Sequence, residues 1–553
     1  MSNKSDNSIS SLKKEEEFIN TKYISDKDHS SIDENYDEAP DSANNPFTNQ
    51  VFREKYAAIY EDAKYECRER FDPEFKWTKA QQKKLTYKLD FYVTLLACFL
   101  FTALQMDRTN LSQAVSDNLL KDIKLSTNDY NTGNTIFFVC FLAAELPSQL
   151  ISKKIGSDIW IPIQVICWSI ITICQFKLNG KSSFYACRAL LGIFEGGFIA
   201  DMVLWLSYFY TSSELPIRLS FFWTAMYITQ IVNYLIAYGI LHMGGVHGKP
   251  GWAWLFLIEG FITLTVGIVG FILMVPSPVQ TKKWWNEKGW FTEEEEKIIV
   301  NKVLRDDPTK GDMHNRQGLS LKMIWEALED WRLWPIYLIG IVAYMPEHTI
   351  TAYMTLLLRQ MGFSTFHTNL LCIPYNVLKI IMLLTSTYLS EKFSSIFLIC
   401  LIQPIWGTIC VGVLRFWKGS LVNHWGTYAV LTICLGYPYI HAMMVSIVSR
   451  NSHSIKTRTV SASVYNMFVQ AGAIIASNIY RKNDKPLYHT GNAVLFAFAL
   501  SMFPILLGCK WFYWKLNKNR AEKWDAMTPE EQDYYIKNTT DKGSQRLDFR
   551  FAH

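Results

Sequence analysis

Ionisable side chains fall inside otherwise apolar runs at only a few places in this sequence, and they fall there in company. Asp107 and Arg108 are adjacent in LQMDRTNLSQA, and Arg188 and Glu195 lie seven residues apart in RALLGIFEGGF. Helical neighbours point about 100° apart, so Asp107 and Arg108 each meet a different partner, whereas a spacing of seven puts Arg188 and Glu195 nearly on one face. A charge in lipid costs on the order of a few kcal/mol, so each needs a partner or a water-filled cavity. Gly192, Gly196 and Gly197 let a second helix approach Glu195 closely. The chemistry on offer is proton and anion handling. An Arg188–Glu195 pair that opens when Glu195 takes a proton is one reading, and a permanent pair locking helices together is the other. Asp107 and Arg108 either work in the same way or form an interfacial pair that snorkels outward.

Further polar groups extend the pattern. Lys379, in IPYNVLKIIMLL, has no acidic residue within a turn, which suggests an anion nearby, from protein or substrate. Glu145 precedes a helix-kinking proline in FLAAELPSQL, about one turn from the end of its span, and reads as structural or gating. Asp201 shares a run with Glu195 and reads as pairing with a neighbouring helix or as a second protonatable group. Asn466, Gln470 and Asn478 repeat at four and eight residues on one helix face, where amides either join helices or read a substrate. His348, beside Glu347, and His441 titrate near neutrality when free and are commonly core hydrogen-bonding groups when buried.

Other chemistry lacks its motifs. GxxxxGK[ST], HExxH and paired CxxC are missing from the sequence, so nucleotide energisation, metal hydrolysis and bound cofactors have no support, and the energy source left is an ion gradient. The eleven cysteines lie mostly in apolar runs and read as small hydrophobes. Of 553 residues, 49% are hydrophobic, 15% aromatic and only 19% charged, which argues against a soluble enzyme. Lys+Arg of 55 against Asp+Glu of 50 gives a net charge of +5 with no basic stripe, so nucleic acid is excluded as a partner.

The elements that must hold these residues are membrane helices. Continuous apolar stretches recur at 90–111, 131–151, 159–177, 183–208, 219–242, 252–275, 334–357, 367–390, 394–415, 425–448, 457–480 and 492–514. Each is long enough for a hydrocarbon core of about 30 Å, and their continuity excludes a barrel. The fold class is all-α integral membrane, with twelve transmembrane helices in two six-helix bundles. The expected organisation is a disordered cytosolic tail over 1–85, bundles over 86–276 and 333–516, a connector over 277–332 and a C-terminal tail over 517–553. Within the connector, Thr292 before Glu293–Glu296 predicts the N-cap of a surface helix, and Asp306-Asp307-Pro308 its stop.

Lys153, Lys154, Arg218, Lys392, Lys456 and Arg458 fall on one side with both tails, and this side is expected to be the cytosol. Lys121, Lys124, Lys181, Arg481, Lys482 and Lys485 fall on the other, so the bias is not clean. The N-terminus has no apolar stretch of signal-peptide type, leaving insertion to the first span. The sequon at Asn110 is expected to lie too close to the bilayer for glycosylation.

These residues resemble the major facilitator superfamily, and within it the anion:cation symporters of the fungal allantoate permease type. The likeness runs from about Phe71 to the C-terminus through MDRTNLSQA, AELPSQLISKKIG, RALLGIFEGGF, SSELPIRLSFFW, GWAWLFLIEG and LRDDPTKGDMHNRQ. It implies two bundles rocking about a central cavity. It further implies Asp107 and Glu195 as proton-coupling sites, Arg108 as the binder of an anionic group and Arg188 as the partner of Glu195. Glu214 and Arg218, in SSELPIRLSFFW, join Glu145, Lys153 and Lys154 as gating or structural residues, and Lys379, Asn466 and Gln470 join the arginines as substrate-binding. Two departures stand out: QLISKKIGSD carries Lys153 where the superfamily loop has an aspartate, and Ala200 replaces a common proline, which predicts a straighter span four.

The resemblance implies import of a small anion by proton symport at the plasma membrane. FDPEFKWTK, LRDDPTKGDM and ASNIYRKNDKP look closest to the sulfonate and sulfate branch; allantoate, nicotinate, pantothenate or another carboxylate is the alternative. A nutrient sensor on a transporter fold, signalling through its tails, is a reading from another class. The expected partners are the small anion, protons, the lipid bilayer and ubiquitin-dependent trafficking machinery acting on Lys13, Lys14, Lys22 and Lys27.

Overall fold

The computed structural model describes residues 38–43, 45–211, 214–311, 322, 325, 328–393, 396–452, 455–539 and 543–552. The four tail lysines therefore lie outside the described residues. Among these residues nine helices are long and apolar enough to cross a membrane, by length and composition. They occupy the expected spans one to six (Lys79–Ser116, Thr127–Ser152, Ser157–Lys177, Lys181–Ser207, Ile217–Met243 and Gly251–Leu273), eight (Thr365–Ser386), nine (Ile396–Phe416) and twelve (His489–Asp525). At the positions of spans seven, ten and eleven stand Trp334–Val342 with Met345–Gln360, His424–Leu435 with His441–Asn451, and Ile455–Ala476. Twelve spans are consistent with this arrangement.

The interruptions have local causes. Span seven restarts with Pro346 in its first turn, and span ten stops at Gly436 before Pro438. Span four, expected to be straighter for want of a proline, is instead broken: Lys181–Glu195 and Phe198–Ser207 meet at Gly196–Gly197, and Gly197 has φ +87°. A side chain at Gly197 would lie 2.4 Å from the Ser148 Cβ. The chain breaks there because span two is too close for anything but glycine.

Span three packs on span six, span two on span four and span one on spans five and six; in the second half nine packs on twelve and seven on eleven. Many large apolar side chains are exposed, among them Phe99, Val139, Phe221, Val232, Phe261 and Ile409, as expected of a lipid-facing surface. One apolar core draws on both halves, bringing Leu111, Tyr130 and Trp252 together with Tyr353, Met354 and Tyr480. It lies at the end away from the termini. On the terminal side each half has its own core.

Hydrogen bonds between the halves gather at that same far end. Tyr130 OH donates to Ala352 O at 3.0 Å, Thr355 Oγ1 to Ser112 O at 2.7 Å, Asn131 Nδ2 to Tyr480 O at 2.6 Å and Asn478 Nδ2 to Thr135 Oγ1 at 2.8 Å. The far end is therefore sealed by both apolar packing and polar pairs.

On the terminal side, order begins well before residue 85. From residue 38 the chain folds into short helices, including Gln50–Asp62, whose aromatic cluster of Phe47, Tyr56 and Tyr60 packs on Val300 and Leu304 of the connector. The expectation of disorder therefore fails over 38–85, because aromatic residues too sparse for a visible period find their core on another segment. The connector helix, Glu293–Asp306, has the Thr292 capping box, but it is not a surface helix. Its Arg305 is buried, stacks on Trp77 at 4.7 Å and donates to Ser42 O at 2.9 Å, Phe75 O at 2.6 Å and Pro73 O at 3.2 Å. After the last span the C-terminal segment folds back: Arg520 donates to Ser544 O at 2.6 Å and Phe551 joins the core of the second half.

Candidate functional site

The charges of the first half converge between spans one, two, three and four. Arg108 Nε donates to Glu195 Oε2 at 3.0 Å, with Glu195 1% exposed and the Arg108 ring-stacked side chain over Phe141 at 5.1 Å. Arg108 is the partner of Glu195, and the expected Arg188–Glu195 pair is not formed. Arg188 lies nearly on the Glu195 face, but seven residues of rise, about two turns or roughly 10.5 Å, separate the two along the helix. It donates through Nη2 to Asn134 Oδ1 at 3.2 Å and stacks on Phe137 at 4.2 Å. Its charge still acts on both Glu195 and Asp107.

Asp107 is 2% exposed. Its Oδ1 accepts from Asn110 Nδ2 at 3.0 Å and from the Thr172 hydroxyl of span three. Its Oδ2 has no hydrogen-bond partner among the described residues, and Glu195 is its carboxyl neighbour. Two carboxyls so placed do not both ionise cheaply. Asn110, the sequon residue, is buried and committed to this cluster.

Lys379 is compensated, against the expectation from its own helix. It pairs with Glu347 of span seven, whose second oxygen accepts from Tyr437 OH in the break of span ten. The rings of Tyr437, Tyr227 and Tyr439 surround the ammonium at 5.0, 5.4 and 5.6 Å. His441 stacks on Tyr439 at 5.5 Å and lies 5.8 Å from Trp223 of the first half. An ion pair in each half, with aromatic rings between them, frames the space where the halves meet.

The other expected residues fall outside these clusters. Asn466 and Gln470 are half-buried on Ile455–Ala476, and Asn478 joins the seal at the far end. Asp201 accepts from Ser148 of span two at 2.8 Å, and Glu145 lies beside it, about three turns from the end of a helix that runs on to Ile155. Glu214 accepts from Lys302 of the connector at 2.8 Å, and Arg218 forms a two-pronged pair with Asp90 at 2.8 and 2.9 Å. These two tie the loop between spans four and five to the connector and to span one. Lys154 is exposed; the side chains of Lys153, Lys392, Lys456 and Arg458 lie outside the described residues.

Sequence reasoning missed Glu347, Tyr437 and Tyr227 as partners of Lys379, because they come from three other helices. It also passed over Glu259, although an acid within GWAWLFLIEG meets the criterion that found Asp107.

Broken helices, buried ion pairs and two helical halves sealed at one end define a multi-pass membrane transporter. The chain belongs to the Major Facilitator Superfamily, whose family profile matches residues 97–477. It is 44% identical over 523 residues to the uncharacterized transporter YIL166C of Saccharomyces cerevisiae, covering 92% of this chain and 94% of that one. Among solved structures it is similar to a bacterial homolog of the human lysosomal transporter Spinster, in an inward-facing and unoccupied conformation, with a TM-score of 0.55, 14% identity and coverage of 76% of this chain and 95% of that one. It is likewise similar to the xylose transporter XylE from E. coli, partially occluded and inward open, at TM-score 0.55, 14% identity and coverage of 75% and 97%. The chain is thus a transporter and not an enzyme.

Proposed function

We propose that this transporter imports a small anion by proton symport, as an anion:cation symporter of the allantoate permease type. The observation that carries the reading is the Arg108–Glu195 pair with Asp107 beside it. While Glu195 is ionised it occupies the guanidinium. A proton on Glu195 releases Arg108, whose planar fork then suits a carboxylate, sulfonate or sulfate. Proton and anion so enter together, and departure of the anion returns Arg108 to Glu195. Lys379, paired with Glu347 within the second half and facing the ring of Tyr227 from the first, serves as a second cationic contact once the substrate competes for it.

Within this class a sulfonate or sulfate is favoured, on the sequence likeness given above; a carboxylate such as allantoate, nicotinate or pantothenate is the alternative. The bias of loop lysines and arginines supports cytosolic termini, and import of a small anion suits the plasma membrane as the site of action. The experiment is internal pH in proteoliposomes at clamped potential while taurine, isethionate, sulfate, allantoate, nicotinate or pantothenate is added outside. Acidification by the sulfur anions supports the favoured substrate. Acidification by the carboxylates alone replaces it with the alternative, and silence across the panel with inserted, folded protein overturns proton symport in favour of exchange or sensing.

A further inference from the structure

Glu259 lies in span six, 0% exposed, and neither of its carboxyl oxygens meets a hydrogen-bond donor among the described residues. Its polar neighbours are Asp107 of span one and the amide of Asn233 of span five. Span three packs on the same helix, with Ile173 against Gly260, and the charged side chain acting on Glu259 remains Asp107. No cation therefore offsets a charge at this position among the described residues.

The Asn233 amide acts on Glu259, but its hydrogens are directed at span one. Thr109 Oγ1 donates its hydrogen to Gln105 O at 3.0 Å or Met106 O at 3.1 Å, so it accepts from Asn233 Nδ2, which also donates to Met106 O at 3.3 Å. Both amide hydrogens are thereby spent on span one. The Asn233 Oδ1 is left as a buried acceptor without a donor. Two carboxyl oxygens and an amide oxygen are thus buried with no well-formed donor among the described residues, which disfavours an ionised carboxylate. A proton on Glu259 supplies the missing donor and removes the charge facing Asp107.

We propose that Glu259 is a third proton-binding group of the first half, holding a proton in the conformation described and exchanging it with Asp107 during transport. The proton leaves the Glu259 carboxylic acid and binds the unpartnered Asp107 Oδ2, leaving Glu259 as a carboxylate to be reloaded from the next proton. The exchange rests on the proton-symport reading above; the occupancy of Glu259 by a proton does not.

Infrared difference spectroscopy of the full chain in lipid, with alkaline pH jumps, tests both parts without requiring transport. The expected result is a protonated-carboxyl stretch at neutral pH that is lost in Glu259→Gln, and whose disappearance on raising pH shifts by about tenfold in proton affinity in Asp107→Asn. Glu259→Asp, which keeps a titratable carboxyl, retains a band should the glutamine variant misfold. A band unchanged in both Glu259 variants overturns the proposal. A band lost in Glu259→Gln yet indifferent to Asp107→Asn overturns the exchange with Asp107 and leaves a static proton. Coupled bands in a protein that moves no protons with any anion of the panel sink the symport reading while upholding the assignment to Glu259.

Discussion

Glu195 is the last residue of its half-helix, and Arg108 holds it from the neighbouring span at 3.0 Å, immediately before the chain breaks at Gly196–Gly197. The pair thus joins a buried carboxyl to the point where span four changes direction. Neutralising the acid imitates the protonated state and frees Arg108 permanently. In Glu195→Gln, proton-driven accumulation is expected to fall to the level of equilibration while counterflow exchange persists. In Arg108→Lys the charge stays but the planar donor fork is lost, and the apparent KM for the anion should rise about tenfold, or about 1.4 kcal/mol. Uptake of labelled substrate into proteoliposomes, with and without a pH gradient, checks both; accumulation by Glu195→Gln equal to the parent would remove Glu195 from proton coupling.

The Lys379–Glu347 pair makes a prediction about stability. Both side chains are largely buried, so removing one strands the other's charge at a cost of about 3–5 kcal/mol, whereas replacing both with apolar groups removes the penalty. Lys379→Met and Glu347→Gln should each lower the thermal unfolding midpoint of the purified protein, and Lys379→Met combined with Glu347→Leu should recover most of the loss. Transport by the stable double variant then isolates the contribution of the Lys379 charge to anion binding. Additive loss in the double variant would show that the two groups do not compensate each other.

Gly197 offers a backbone test. A residue other than glycine at its positive φ costs about 1–2 kcal/mol, and the new Cβ meets span two at 2.4 Å. Gly197→Ala is expected to lower the unfolding midpoint and slow transport together. Gly239→Ala, where nothing lies within 4 Å of the added carbon, should leave both unchanged. Equal behaviour of the two variants in thermal unfolding would mean that the break in span four is not held by this contact.

How much of this was legible in the sequence depended on whether the cause was local. Apolar length marked the spans, Thr292 with Glu295 marked the connector helix, and intramembrane charge marked Asp107, Arg108, Arg188 and Glu195. Partner choice was not legible, since it is a matter of helix packing: a spacing of seven favoured Arg188 for Glu195, but span one brings Arg108 closer. Lys379 looked uncompensated because its acid stands 32 residues away on another helix. The order of residues 38–85 was hidden for the same reason, as its aromatic residues complete a core shared with the connector. Glycine pairs were visible in span four, yet they read as a surface for close approach when they also permit the break.

Asp117, just beyond span one, carries a prediction about pH. Its Oδ2 accepts from Trp252 N at 2.8 Å at the start of span six, and burial pushes its carboxyl up to about 6 from 3.8. A carboxyl raised in this way binds its proton more tightly in the folded protein than in the unfolded chain. Between 3.8 and about 6 the folded state holds more protons, so the contribution of Asp117 to stability falls as pH rises through that window and is constant above it. Asp117→Asn removes that slope while keeping a side-chain oxygen for the Trp252 amide. Thermal unfolding of the parent and the variant across this range should therefore give a difference in midpoint that grows in favour of the variant from the acid end to about 6 and then levels. A constant difference over the whole range would show that Asp117 does not titrate there, and that the carboxylate at the start of span six is stabilised by its amide contact as fully as it is penalised by burial.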